Sequence, residues 1–195
     1  MELHPLQPFL PAGASILFLG SFPPPRQRWC MEFFYPNWIN DFWRIQGLIH
    51  YNNKEAFVIP GEKRFDRERI VAFCEEHGLA FFDTAMAVNR LKDNASDAFL
   101  EIVQPTDIPA LLEQLSLCVK LVTTGGKASE QVCHQFGISQ EPSIGTSHTL
   151  HLENGRTLEW WRMPSTSRAY PLALEKKAEY YRKLWNTRKI LATLV

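Results

Sequence analysis

The chain has 195 residues, 45% of them hydrophobic, which is the size and apolar content of one globular domain, 1–195, and leaves little room for a second. Lys plus Arg and Asp plus Glu number 21 each, so there is no overall basic surplus and any nucleic-acid surface has to be local. Cys30, Cys74, Cys118 and Cys133 form no C-x-x-C pair, which argues against a zinc ribbon or an iron–sulfur cluster and fits reduced thiols in a cytoplasmic protein.

No leader pattern opens the chain and no apolar run approaches the ~20 residues of a membrane span, so the expected compartment is the cytoplasm and no membrane partner is expected. Residues 1–13 are proline-rich and read as an arm that packs on the body. Ile16 to Leu19 is too short for a helix and is bounded by Gly and Pro, which reads as a central strand buried on both faces. It empties into Gly20-Ser21-Phe22-Pro23-Pro24-Pro25. Each proline fixes its own φ and pushes its predecessor to extended geometry, so this loop has almost no conformational freedom.

Phe33 to Trp43 reads FFYPNWINDFW. Asp41 to Leu48 has the character of a short helix with Asn40 or Asp41 as its N-cap, and Phe42 and Trp43 read as core. An aromatic run of mixed polarity beside a rigid loop is also a stacking pocket for a flat ring. Asp66 to His77 is a helix closed by Gly78, and Leu79 to Phe82 is a second buried strand ending at Asp83-Thr84. Thr106 to Leu115 carries helical spacing. Val119 to Thr123 is a third strand that breaks at Gly125-Gly126, and Ala128 to Phe136 is a helix ending at Gly137. Asn154-Gly155, between Thr149–Glu153 and Arg156–Met163, is a hairpin signal. The second hairpin strand runs into Pro164-Ser165-Thr166-Ser167, and residues 172–194 close the chain as one helix whose Lys176, Lys177, Arg182, Lys183, Arg188 and Lys189 form a solvated face.

Strands alternating with helices imply an α/β fold, a three-layer α/β/α sandwich around a short, mainly parallel central sheet. Ligands in such sheets bind at the carboxyl ends of the strands. Gly20–Pro25, Asp83-Thr84, Thr124–Lys127 and Pro164–Ser167 all fall there, so four loops are expected to meet at one site.

Several familiar patterns fail on their spacing. Thr123-Thr124-Gly125-Gly126-Lys127-Ala128 lacks the first glycine of a phosphate loop, and Ala128 stands where a Ser or Thr would meet magnesium. His148 faces opposite to His151 and Glu153 on a strand, which makes a poor metal site. Ser165 and Ser167 belong to no G-x-S-x-G elbow. Neither a metal nor a cofactor is expected.

Taken together, Gly20-Ser21-Phe22-Pro23 after a buried strand, Asn40-Asp41-Phe42-Trp43, Asp83-Thr84 and Met163-Pro164-Ser165-Thr166-Ser167 after a hairpin resemble the uracil-DNA glycosylase superfamily. Within it, the match is closest to the mismatch-specific uracil/thymine-DNA glycosylase and hypoxanthine-DNA glycosylase groups. Order and spacing agree from about residue 15 to residue 185. The run Ala80-Phe81-Phe82-Asp83-Thr84 and the Ser96-Asp97 pair resemble the hypoxanthine group. Two positions depart: Phe22 replaces the water-holding Asn of the G-I-N-P motif, and Thr124-Gly125 replaces Asn-Gly. The resemblance implies that Asn40 takes over water positioning.

It further implies a monofunctional DNA glycosylase, a hydrolase of N-glycosyl bonds that acts on a flipped hypoxanthine or uracil in base-excision repair. The substrate is damaged duplex DNA, with single strands as a second form, and the enzyme is expected as a monomer. The base pocket falls on Gly20, Ser21, Phe22, Pro23, Phe34, Tyr35 and Thr124. Asn40 and Asp83 are the catalytic candidates, and Asp83 has a competing reading as an N-cap. Ser165, Thr166, Ser167 and Lys127 are candidates for phosphate contacts, while Arg168 and Tyr170 are candidates to enter the base stack. Arg26, Arg28, Lys127, Arg162 and Arg168 supply a local basic patch. Phe22 keeps a second reading open, a non-catalytic nucleic-acid binding module, and the fold alone leaves a third, a small-molecule hydrolase or nucleotide-binding protein.

Overall fold

The structure, a computed structural model, describes residues 1–91 and 99–186. Ser96-Asp97, Arg188 and Lys189 lie outside the described residues. Among those described, a five-stranded sheet runs in the order β3-β2-β6-β8-β7, with β2 (Ile16–Gly20), β3 (Leu79–Asp83), β6 (Lys120–Thr124), β7 (Thr146–His151) and β8 (Thr157–Met163). β2, β3, β6 and β8 are parallel, and β7 joins the edge antiparallel to β8. The expected α/β fold, a mainly parallel central sheet flanked by helices, is what the chain forms.

Every residue of β2, β3 and β6 is buried, which is why these strands read as short continuous apolar runs. Phe18 at the centre is fully buried and stacks on Phe81 with ring centroids 5.4 Å apart. Burying such a ring contributes about 2–3 kcal/mol by area. The packed aromatics continue through Phe42 and Trp43, both core residues, so the first two helical positions of α1 (Phe42–Tyr51) anchor it against the sheet.

Capping sets the helix boundaries. The Asp66 carboxylate accepts from Arg69 N–H and starts α2 (Arg67–His77), and Gly78 stops it at φ +64°. A Cβ there would meet the Gly13 carbonyl, so glycine answers both the conformation and the close approach. α3 (Ile108–Glu113) and α4 (Gly126–Phe136) match the expected segments, with Asp107 capping the former. α5 (Leu174–Asn186) begins two residues later than expected, and the remainder of the expected helix lies outside the described residues.

Two findings depart from the sequence reading. A second sheet of three antiparallel strands joins β1 (Glu2–Leu3), β4 (Ala85–Arg90) and β5 (Leu100–Pro105) in the order β1-β4-β5. β4 carries two alanines and a register irregularity, and β5 ends in proline, which hid their alternation. Lys177, expected on the solvated face of the last helix, is fully buried: its Nζ donates to Asp41 Oδ2 and to the Ser167 carbonyl, at 2.9 and 2.8 Å. A buried ammonium needs such partners to offset its desolvation.

Candidate functional site

A pocket of about 560 Å³ opens at the carboxyl ends of β2 and β3. Three of the four expected loops line it. Gly20, Ser21, Phe22 and Pro23 come from the first loop, Asp83 from the end of β3, and Ser165, Ser167, Arg168 and Tyr170 from the segment after β8. Phe34, Tyr35 and Asn40 close the remaining wall. The fourth loop stays behind it: Thr124 is buried, and its hydroxyl shares a 2.8 Å hydrogen bond with the Tyr35 hydroxyl. Thr124 therefore braces a pocket residue rather than forming the surface.

Tyr35 has φ +51°, a left-handed conformation that costs a non-glycine residue about 1–2 kcal/mol. What holds it is a face-to-face stack on Phe42, with centroids 3.9 Å apart and planes within 3°, together with the Thr124 bond. Phe34 is almost fully buried against Phe81, so it forms floor. Phe22 is half-buried over Ala85, Val88 and Leu100 of the small sheet, which thus supports the rigid proline loop.

Asn40 lines the pocket, and its Oδ1 accepts from Phe42 N–H at 2.9 Å, opening α1. Among the described residues this is the bond its side chain makes, so one lone pair of Oδ1 and both Nδ2 donors face a ligand. The N-cap reading of Asp83 finds another answer: after Thr84 the chain enters strand β4 rather than a helix, and Asp83 Oδ2 meets His4 Nε2 at 2.9 Å. A Cβ at position 20 would run into Asp83 Oδ1, so glycine at the end of β2 is what lets the carboxylate lie against it.

The phosphate and wedge candidates divide. Ser165, Ser167 and Tyr170 are at the surface of the pocket, whereas Thr166 is buried and gives its carbonyl to Asp41 N–H. Arg168 lines the pocket while its Nε donates to Asp41 Oδ1 at 2.9 Å. Lys127 is not among the lining residues; its Nζ donates to the Leu100 carbonyl at 2.9 Å. Of the expected basic patch, Arg28 and Arg168 line the pocket, while Arg26 and Arg162 pair with Glu32 and Glu141. Asp41 and Lys177 lie beneath a neighbouring depression and fix the 165–170 segment from below.

Sequence reasoning missed His4. A lone histidine in a proline-rich arm has no partner at a recognisable spacing, and only the docking of the arm reveals it. Phe9 pairs with Phe81 and the His4 amide donates to Met86 O, so the arm lies along the sheet end. Among the described residues no group of three His, Cys, Asp or Glu gathers as a metal site, and no helix is long and apolar enough to cross a membrane.

No protein-family model and no curated protein sequence matches the chain. Among solved structures, the chain is similar to the solution NMR structure of "a putative Uracil DNA glycosylase from Methanosarcina acetivorans". The TM-score is 0.60 at 20% identity, and the match covers 91% of this chain and 95% of that one. Near-complete coverage at that identity establishes a shared fold, the uracil-DNA-glycosylase-like α/β arrangement.

Proposed function

We propose that the chain is a monofunctional DNA glycosylase that hydrolyses the N-glycosidic bond of a flipped, deaminated base, hypoxanthine or uracil, in base-excision repair. One observation carries the reading: the rigid Gly20–Pro24 loop, Tyr35, Asn40, Asp83 and the 165–170 segment, far apart in sequence, line one pocket at the strand ends. The name of the Methanosarcina protein, whose fold this chain shares, supports it further.

A stacked base is out of reach, so the nucleotide must be rotated out at a cost of a few kcal/mol. Phe22 and Tyr35 would flank its ring and Phe34 would underlie it, with Ser165 and Ser167 on the flanking phosphates and Arg168 or Tyr170 at the vacated stack. The C1′–N bond breaks with its electron pair leaving on the base, and water adds to C1′ and gives up a proton. Backbone amides held by prolines meet the charge on the departing base without reorganising. Asn40 orients the water, and Asp83 contacts the base or takes the proton. The reaction uses water alone, with no cofactor, and the substrate is damaged DNA, duplex or single-stranded, bound by a monomer.

A second reading is favoured by a specific observation. Asn40 Oδ1 is engaged with Phe42 N–H and Phe22 offers no polar atom, which suits a binding module without catalysis. Single-turnover assays on duplexes carrying deoxyinosine, uracil or a G·T mismatch, with alkali revealing abasic sites, separate the two. Base release lost in Asn40→Ala supports the glycosylase; DNA binding without release from any duplex supports the module.

A further inference from the structure

The least expected contact in the pocket is the one between the arm and β3. The His4 side chain is 1% exposed and is enclosed by Phe82, Phe22 and Phe34, at centroid distances of 4.7, 5.4 and 6.4 Å. Its Nε2 meets Asp83 Oδ2 at 2.9 Å. Its Nδ1 lies 2.8 Å from the Leu6 carbonyl and 3.2 Å from Leu6 N. Nε2–H donates to the carboxylate, and Nδ1, facing both the carbonyl and the N–H of Leu6, fixes the ring from its other side. Asp83 Oδ1 rests against Gly20, and both residues line the pocket. The carboxylate is thus clamped: one oxygen held by His4, the other beside the space a base would enter.

A fixed acceptor has a definite preference. Uracil and hypoxanthine carry a ring N–H beside a carbonyl, where cytosine and adenine carry a bare ring nitrogen with a lone pair. An ionised carboxylate accepts from the first pair and repels the second, and a site that leaves a buried polar group unpaired discriminates strongly. A lone carboxylate would also oppose the negative charge growing on the departing base. The N–H that His4 directs at Oδ2 offsets part of it.

We propose that His4 is a positioning residue that holds Asp83 as a fixed hydrogen-bond acceptor in the pocket, and that this acceptor selects bases with a ring N–H beside a carbonyl. The catalytic part of this role rests on the glycosylase reading; the acceptor part does not.

The test combines catalysis with binding of free bases to the full chain. NMR titration of the wild type is expected to show tighter binding of free uracil than of cytosine, and of hypoxanthine than of adenine, by at least about tenfold. In Asp83→Asn, His4 takes the carboxamide oxygen and turns the NH₂ towards the pocket, so the uracil-to-cytosine preference inverts. A side chain that served only stability would not move that ratio. In single-turnover cleavage, His4→Ala is expected to lose about 100-fold, the effect of misplacing a reacting group by about an ångström. His4→Gln, which keeps an N–H donor, recovers part of the loss and carries the test if His4→Ala does not fold.

Cleavage unchanged in a folded His4→Ala overturns the positioning role while leaving the glycosylase standing. Equal binding of uracil and cytosine by the wild type overturns the acceptor. Absence of cleavage from every duplex, with uracil still preferred, overturns the glycosylase reading and leaves the acceptor supported.

Discussion

Lys177 and Asp41, 136 residues apart in the chain, form a 2.9 Å ion pair whose side chains are 1% and 7% exposed. Through it the last helix holds the first, and the second bond of Lys177, to the Ser167 carbonyl, ties both to the segment that walls the pocket. Removing one partner of a buried pair leaves an uncompensated charge, which costs about 3–5 kcal/mol. Asp41→Asn, which takes the counter-charge from the fully buried Lys177, is therefore expected to lower unfolding stability by that amount in urea titrations. Adding Lys177→Met recovers part of the loss, because the stranded charge is removed. A single variant as stable as the wild type would show that the pair is not closed in solution.

At the end of β2, Gly20 makes room for Asp83 Oδ1. Gly20→Ala adds one methyl group in that space, and the carboxylate has to turn away from its place beside His4. The variant is expected to fold, with a stability loss of about 1–3 kcal/mol from overpacking, and to shift the His4 ring proton resonances as the contact with Asp83 is lost. Unchanged His4 resonances in the variant would contradict the clamp.

Asn40 serves two ends at once, which makes its variants informative. Loss of the bond to Phe42 N–H in Asn40→Ala costs about 0.5–2 kcal/mol. On the glycosylase reading the same change lowers the single-turnover rate constant by about 100-fold or more. Asn40→Asp keeps the acceptor for Phe42 N–H, so its stability stays near wild type while its rate still falls. If the rate follows stability across both variants, Asn40 is a cap alone.

His50 gives the fold a pH dependence of known sign. Its ring packs on Trp185, His77 and Phe73 at 4.5, 4.6 and 4.9 Å, and Nε2 has no hydrogen-bond partner among the described residues. Burial, with a smaller contribution from the neighbouring His77, lowers its pKa from the ordinary 6.5 to about 4. Between those values the unfolded chain binds the extra proton and the folded chain does not. This part of the stability is complete above pH 6.5, falls as pH drops towards 4, and changes no further below it. The ring is not fully enclosed, so the loss is on the order of 1–2 kcal/mol after solvent screening. In His50→Leu the stability curve is expected to be flatter across that window; an identical slope would remove His50 as the cause.

Local signals account for much of the fold. The strands Ile16–Gly20, Leu79–Asp83 and Lys120–Thr124 were legible because a buried parallel strand is apolar at every position, and α2 because Asp66 and Gly78 mark its ends. β1, β4 and β5 were not, since a two-residue edge and an irregular, alanine-bearing strand gain their identity from pairing partners distant in the chain. Tyr35, Asn40 and Asp83 line the pocket from loops that the sequence marks out. Thr124, Thr166 and Lys127 lie on marked segments too, but which way a side chain turns there depends on what packs over it.

By itself the sequence determined which segments form the central sheet and which loops gather at its carboxyl edge, because periodicity, capping and proline content act within a few residues. Tertiary structure decided the rest. It buried Lys177 against Asp41, turned Thr124 to brace Tyr35, and carried His4 from a proline-rich arm to Asp83. Those contacts form only once the chain has closed on itself, since charges and hydrogen-bonding groups withdrawn from water must find partners wherever the fold brings them.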